Sequence, residues 1–193
     1  MPSGVAVIGQ PLWAAVGYSL PALLGTLLAA PRRRQLLFIG DGAFQMTAQE
    51  LSTILRRCLK PIIFLVNNNG YTIERLILGP SSSYNDINQW RYAEAASFFD
   101  TQGRAIAYRV RTEDELEDAL AAASDREALV LIELVMSRLD APGALVNFAR
   151  RCAEYNFPQF TAIRGVTAEL VAPGPCGFGA SAAQPACHRG KSS

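Results

Sequence analysis

Two glycine-bearing polar stretches, Gly40-Asp41-Gly42 and Asn67-Asn68-Asn69-Gly70, hold the side chains of this sequence best suited to chemistry. Asp41 is a hard oxygen ligand set between two residues without side chains, so Gly40 and Gly42 leave room for a phosphate group beside the backbone. An Mg²⁺ that bridges a diphosphate takes octahedral oxygen coordination, commonly from a carboxylate, an amide or main-chain carbonyl, phosphate oxygens and water. Asp41 and Asn68 supply the first two kinds, and Gly70 can add its carbonyl. Taken alone, Asp-Gly and Asn-Gly are also ordinary turn signals, and at this level both readings stand.

For the two stretches to act together, the fold must bring them to one edge of a sheet. From Gln35 onward short apolar runs alternate with longer amphipathic ones, the pattern of an α/β fold with a parallel sheet and helices on both faces, three layers in all. Gln35–Ile39 and Ile62–Val66 read as strands whose carboxyl ends run into the two polar stretches, where ligands of open α/β sheets sit. Between them, Thr47–Leu59 reads as a helix with Leu51, Ile54 and Leu55 on one face, closed by Pro61; its amino end would aim amides at the same space. Ala105–Val110 and Ala128–Met136 are further strands. Thr112-x-x-Glu115 is a capping box opening a helix through Ala123. A last helix, Pro142–Tyr155, places Leu145, Phe148 and Cys152 on one face and Arg150 and Arg151 away from it. Residues 1–160 are thus expected to form one domain. Residues 161–193 are expected to stay disordered, Pro, Gly, Ala, Ser and Cys accumulating without apolar periodicity from Ala172.

Several classes of function are disfavoured by composition. Among 193 residues, 18 Lys and Arg face 17 Asp and Glu, leaving no field to steer nucleic acid or an anionic membrane. Arg32-Arg33-Arg34 reads as a solvated turn. Cys58, Cys152, Cys176 and Cys187 lack zinc-ligand spacing, which suits reduced thiols in a cytoplasmic protein. His188 is the lone histidine, so a Ser-His-Asp or Cys-His nucleophile system is not expected. The apolar run Ala14–Ala30 is short for a membrane span and is broken by Gly17, Pro21 and Gly25; a buried helix with Ser19 as N-cap and Pro21 in its first turn explains the same residues.

The stretch GDGAFQMTAQELSTILRRCLKPIIFLVNNNGYTIERLI resembles the thiamine-diphosphate-dependent enzymes, whose signature is GDG followed further on by NN. It is most similar to the pyruvate, indolepyruvate and phenylpyruvate decarboxylase group, through Asn68-Asn69-Gly70-Tyr71-Thr72-Ile73-Glu74. The likeness runs from about Val5 to Tyr155, including Gln10-Pro11-Leu12-Trp13, Gly17-Tyr18, Gly79-Pro80, Tyr84-Asn85-Asp86-Ile87 and Trp90. It implies that Asp41, Asn68 and the Gly70 carbonyl hold Mg²⁺ and that Gly40, Gly42 and Ala43 line the diphosphate of thiamine diphosphate. Val16 would wedge between the two cofactor rings, Ala14 and Val16 would hold the pyrimidine through their backbone, and Tyr71 would join the cofactor contacts. At the position of Ala14 close relatives often carry glycine. Ile73 would shape the substrate pocket, and Glu74 would act in proton transfer and disfavour the substrate carboxylate. Read without the resemblance, Glu74 is instead an exposed helix residue paired with Arg75 or its neighbours.

The implied reaction is non-oxidative decarboxylation of a small, pyruvate-like 2-oxo acid to an aldehyde and CO₂. In this family a carboxylate facing the pyrimidine and a histidine pair come from a separate amino-terminal domain, and nothing in the chain matches them. A fragment of such an enzyme is the favoured expectation, with a split enzyme completed by an amino-terminal-domain partner chain, or a non-catalytic dimerisation module, as the alternatives. A homodimer or tetramer is the expected assembly. The run Gly70-Tyr71-Thr72-x-Glu74 argues against an acetolactate-synthase-like carboligase.

Overall fold

The computed structural model describes residues 3–124 and 127–156. The expected disordered tail, Cys176, Cys187 and His188 lie outside them. Four strands, β1 (Leu36–Gly40), β2 (Ile62–Asn67), β3 (Ile106–Val110) and β4 (Val130–Val135), form one parallel sheet in the order β1-β2-β4-β3. Because strand side chains alternate between faces, Leu37, Ile39, Ile63, Leu65, Leu129 and Leu131 gather on one side. They pack there with Leu20, Leu23 and Leu27 of α1 (Ser19–Ala29) and Leu51, Ile54 and Leu55 of α3 (Glu50–Arg56). On the other side Ile62, Phe64, Val130 and Ile132 meet Ala119 and Ala123 of α6 (Glu113–Ser124). The three-layer α/β arrangement is the expected one. Leu20, Leu51, Ile54, Ile63, Leu65 and Leu131 are fully buried, and each such side chain contributes about 1.5–3 kcal/mol of burial free energy.

The strands lie within a residue or two of their expected bounds, but the helices differ in instructive ways. The helix expected over Thr47–Leu59 is two: α2 (Asp41–Thr47) starts directly from β1, and α3 follows after a turn at Ala48-Gln49. Gly40 stays extended while Asp41, an acidic residue at a helix amino end, accepts the next N–H; a Gly-Asp-Gly that reads as a turn is therefore a helix start. Ser19 is the first residue of α1 rather than its N-cap, and Tyr18 at the cap position makes no side-chain bond; Pro21 does stand in the first turn. In α7 (Gly143–Asn156), Phe148 is exposed and Ala149 takes the buried place, so the inward face is Leu145, Ala149 and Cys152. α7 packs against α4 (Thr72–Leu78). Two short helices, α4 and α5 (Glu94–Phe99), and a 3₁₀ turn at Ser83–Asn85 have no clear periodic signal in the sequence.

The capping box forms with one shift. Thr112 Oγ1 accepts the Glu115 N–H at 3.2 Å, while Glu115 Oε2 accepts from the Arg111 N–H at 2.6 Å, one residue earlier than the pattern predicts. Of the exposed arginine run, Arg34 donates to the Ala123 and Ser124 carbonyls at the carboxyl end of α6, where a cation is favoured. No helix of the described residues is long and apolar enough to cross a membrane.

Candidate functional site

At the carboxyl ends of β1 and β2 the two polar stretches meet through one carboxylate. Asp41 is 1% exposed; its Oδ1 accepts the Gly42 N–H at 2.8 Å, and its Oδ2 accepts the Gly70 N–H at 2.9 Å. Burial raises its pKa, and hydrogen bonds from Gly70, Gly42 and Asn69 only partly oppose that effect. A buried carboxylate that faces neutral hydrogen-bond donors and no ion pair among the described residues is poised to be neutralised by a cation.

The three asparagines take three different roles. Asn67 is buried, donating from Nδ2 to Glu133 Oε1 at 2.8 Å, and its Oδ1 lies 3.4 Å from the Asn69 nitrogen. Asn68 is half-buried, with no hydrogen bond from its side chain to the described residues. Asn69 adopts the left-handed region at φ 62°, which asparagine tolerates. Gly70 follows at φ 114°, and a Cβ there would lie 2.2 Å from the Asn85 carbonyl oxygen and 2.7 Å from Arg75 Nη2. Only glycine fits that position. The Gly70 carbonyl accepts the Thr72 N–H at 3.1 Å, which leaves it a second lone pair.

Behind this loop Arg75 is 2% exposed, and its Nη2 donates to the Asn69 carbonyl at 2.6 Å and to the Asn85 carbonyl and Asp86 Oδ1 at 2.9 Å. The Arg75–Glu74 pairing suggested by sequence neighbours is therefore replaced by Arg75–Asp86. Glu74 and Ile73 are half-buried in the first turn of α4, and Glu74 forms no ion pair with the described residues. The Tyr71 ring covers Gly42: a Cβ there would stand 2.4 Å from its Cε1. The space beside Gly42 is thus occupied by the Tyr71 ring rather than open, whereas Gly40 has nothing within 4 Å of its Cβ position.

Ala14 and Val16 lie toward the other end of α2. Gly17, at φ 88°, lets the chain approach so closely that a Cβ would be 2.8 Å from that of Met46, and Thr47 Oγ1 donates to the Gly17 carbonyl at 3.0 Å. The seven residues of α2 separate this anchor from Asp41 by about 10 Å at 1.5 Å per residue. Ala14 is held at φ 47°, where a glycine would be unstrained, and Gln10 Oε1 accepts the Ala15 N–H at 2.9 Å. Val16 is 55% exposed and continues an exposed apolar strip through Val5, Val7, Ile8, Leu12 and Trp13. Residues the sequence did not single out complete the surroundings. Tyr92 is fully buried, with its hydroxyl accepting from Gln45 Nε2 at 2.7 Å and its pKa raised to about 12, first by burial and then by Asp41. Glu133, a lone acid inside an apolar strand, is 2% exposed.

A family model described as thiamine pyrophosphate enzyme, C-terminal TPP binding domain, matches residues 3–134. The chain belongs to this family. The TPP-binding domain is 49% identical over 160 residues to the alpha-keto-acid decarboxylase of Mycobacterium avium (strain 104), a match covering 82% of this chain and 28% of the relative. It is 48% identical over 146 residues to that of Mycobacterium tuberculosis (strain ATCC 25618 / H37Rv), covering 75% and 26%. The chain therefore spans little more than a quarter of these relatives. Two solved structures share the fold at 23% identity. One is the thiamine diphosphate-dependent 4-hydroxybenzoylformate decarboxylase of Rhodococcus jostii RHA1, with a TM-score of 0.58 over 67% of this chain and 24% of that one. The other is the benzoylformate decarboxylase of Polynucleobacter necessarius, with a TM-score of 0.56 over 67% and 25%. Within this TPP-binding domain the Asp41–Gly70 bond joins the two sequence motifs.

Proposed function

We propose that this domain binds thiamine diphosphate through Mg²⁺ and serves in the non-oxidative decarboxylation of a small, pyruvate-like 2-oxo acid, aromatic ones included, to an aldehyde and CO₂. The observation that carries the reading is the buried Asp41 carboxylate, desolvated and bonded to the backbone of both motifs. The donor set fits Mg²⁺: one carboxylate, one amide oxygen without a partner among the described residues and one carbonyl with a spare lone pair, the remaining places going to diphosphate oxygens and water. In this reading Asp41, Asn68 and Gly70 hold the metal, Gly40, Gly42, Ala43 and Tyr71 line the diphosphate, and Ala14 and Val16 meet the pyrimidine end. When bound, the cofactor supplies the electron sink that accepts the pair left as CO₂ departs.

The chain's own contribution is to position and to move protons. Glu74, two residues past Thr72 and free of ion pairs with the described residues, is the candidate for proton transfer beside the substrate, with Ile73 shaping the pocket. The exposed strip from Val5 to Val16 supports assembly with other subunits, as a homodimer or tetramer completed by amino-terminal-domain residues. A cytoplasmic location without nucleic-acid or membrane partners accompanies this reading. Isothermal titration tests it: thiamine diphosphate should bind only with Mg²⁺ present, and Asp41→Ala should abolish binding while the far-UV spectrum stays unchanged. Undetectable binding by the folded wild-type chain would overturn the assignment.

A further inference from the structure

The side chain of Glu133 lies on the same face of the sheet as Leu129 and Leu131, two residues beyond the last of them, beside Asn67 on the neighbouring strand. Each of its oxygens has a separate task. Oε1 accepts from Asn67 Nδ2 at 2.8 Å, and Oε2 accepts the Ala93 N–H at 3.1 Å, so the carboxylate joins the last residue of β2 to the turn that precedes α5. Arg109 Nε, on β3, lies 3.4 Å from Oε1 and partly balances the buried charge. Asn67 is in turn the residue before Asn68, and its Oδ1 faces the Asn69 amide.

We propose that Glu133 is a positioning residue: by fixing the Asn67 amide it sets the Asn67–Gly70 loop so that Asn68 and Gly70 stand beside the Asp41 carboxylate. The chemical demand is specific. Two donors arrive from opposite sides, so the group between them must accept at both oxygens, and only a carboxylate does so. A glutamine there would turn its own N–H₂ against either Asn67 or Ala93. The inference rests on the proposed Mg²⁺-diphosphate reading for its consequence in binding, but the ordering of the loop is a property of the ligand-free chain. Groups that orient metal ligands without touching the metal change affinity by about 10- to 100-fold when lost.

The test uses the full chain in two variants, Glu133→Gln and the double Asn67→Asp/Glu133→Gln. The double variant reverses donor and acceptor: the introduced glutamine can give its N–H₂ to the new carboxylate, accept the Ala93 N–H at its oxygen, and leave a carboxylate oxygen for the Asn69 amide. Amide hydrogen exchange by NMR reads the loop without ligand. Glu133→Gln should speed exchange at the Gly70 amide by about tenfold or more while Phe64 and Leu65 stay slow, and the double variant should restore the Gly70 rate. Isothermal titration should show Mg²⁺-dependent thiamine diphosphate affinity falling by about tenfold or more in the single variant and recovering in the double. A merely structural Glu133 would speed exchange across all of β2 alike, and that result, an unchanged Gly70 rate or a double variant without recovery would overturn the inference. If the single variant fails to fold, the double decides: wild-type protection at Gly70 supports the role and loss of it refutes it. Absence of binding by the wild-type chain would fall on the proposed function, and the exchange pattern would still decide the role of Glu133.

Discussion

Gly70→Ala and Gly42→Ala insert the same methyl group into two equally tight places, and their costs should differ widely. At Gly70 the added Cβ would stand 2.2 Å from the Asn85 carbonyl oxygen, a backbone atom, on a residue held at φ 114°. Holding an alanine at that angle costs about 1–3 kcal/mol. Moving the Asn85 carbonyl away breaks two bonds, Tyr71 N–H to Asn85 O at 3.0 Å and Arg75 Nη2 to Asn85 O at 2.9 Å. The neutral bond contributes about 0.5–1.5 kcal/mol and the charged one about 1.5–3 kcal/mol. Since backbone relief and bond loss trade against each other, the expected net is about 3–5 kcal/mol, a large part of the roughly 5–15 kcal/mol typical of a domain. At Gly42 the obstacle, at 2.4 Å, is Cε1 of the half-buried Tyr71 ring, which can swing aside, and the position is helical, where Ala is favoured over Gly by about 1 kcal/mol. Gly42→Ala should therefore lie within about 1 kcal/mol of wild type. Urea denaturation followed by circular dichroism measures both. A Gly70→Ala chain as stable as wild type would refute the packing of the Asn85 turn on the loop, and a Gly42→Ala chain as damaged as Gly70→Ala would refute a Tyr71 ring that yields.

Other perturbations probe separate parts of the fold. Thr112→Ala removes the N-cap of α6 and should cost about 1 kcal/mol by the same denaturation assay; no change would deny the cap its energetic role. Ala14→Gly relieves a left-handed alanine, so stability should hold or rise by up to about 1 kcal/mol despite the extra freedom of the unfolded chain, and a loss beyond that would contradict the φ of 47°. Asp100 accepts the N–H groups of Ala105, Gln102 and Arg104, and these bonds, that of Ala105 foremost, hold its carboxyl below the usual range. Because the folded pKa is the lower one, its contribution is present above the unfolded value near about 3.9 and is lost as pH falls through the folded value. Melting temperature against pH should accordingly separate wild type from Asp100→Asn at neutral pH and bring them together in acid; a constant gap down to the lowest pH would exclude the linkage.

Part of this architecture can be read before any coordinates, and the reason is local. Asp41, between two glycines, and Asn68, in an asparagine run closed by Gly70, announce themselves at the ends of apolar runs, and Leu51, Ile54 and Leu55 fall on one face at helical spacing and are buried together. The start of α2 at Asp41 is hidden because a glycine-rich strand end looks the same whether it turns or enters a helix. Phe148 is misplaced by periodicity, which cannot tell which of two adjacent faces meets α4, and the closer approach there favours the small Ala149. Arg75, Asn85 and Tyr92 lie in segments with no period at all, and their burial comes from contacts that join distant parts of the chain.

Glu133 marks a different limit, since its segment reads correctly as a strand and its meaning still escapes. In an apolar run a single acid suggests a strand end or an exposed position, and only register shows otherwise. Leu37 and Ile39 lead with the same two-residue step to Asp41, Ile63 and Leu65 lead to Asn67, and Leu129 and Leu131 lead to Glu133. Asp41 opens α2 directly after β1, and Asn67 and Glu133 lie on the neighbouring strands β2 and β4, with Glu133 level with Leu65, so the core-facing rows give way to polar groups toward the carboxyl ends of the strands. Two of those groups, Asp41 and Asn67, open the recognised motifs, and the third bonds directly to the second. The motif-bearing edge therefore carries a third polar group bonded to the second motif, and a sequence motif that names two strands leaves the third to be found from the structure.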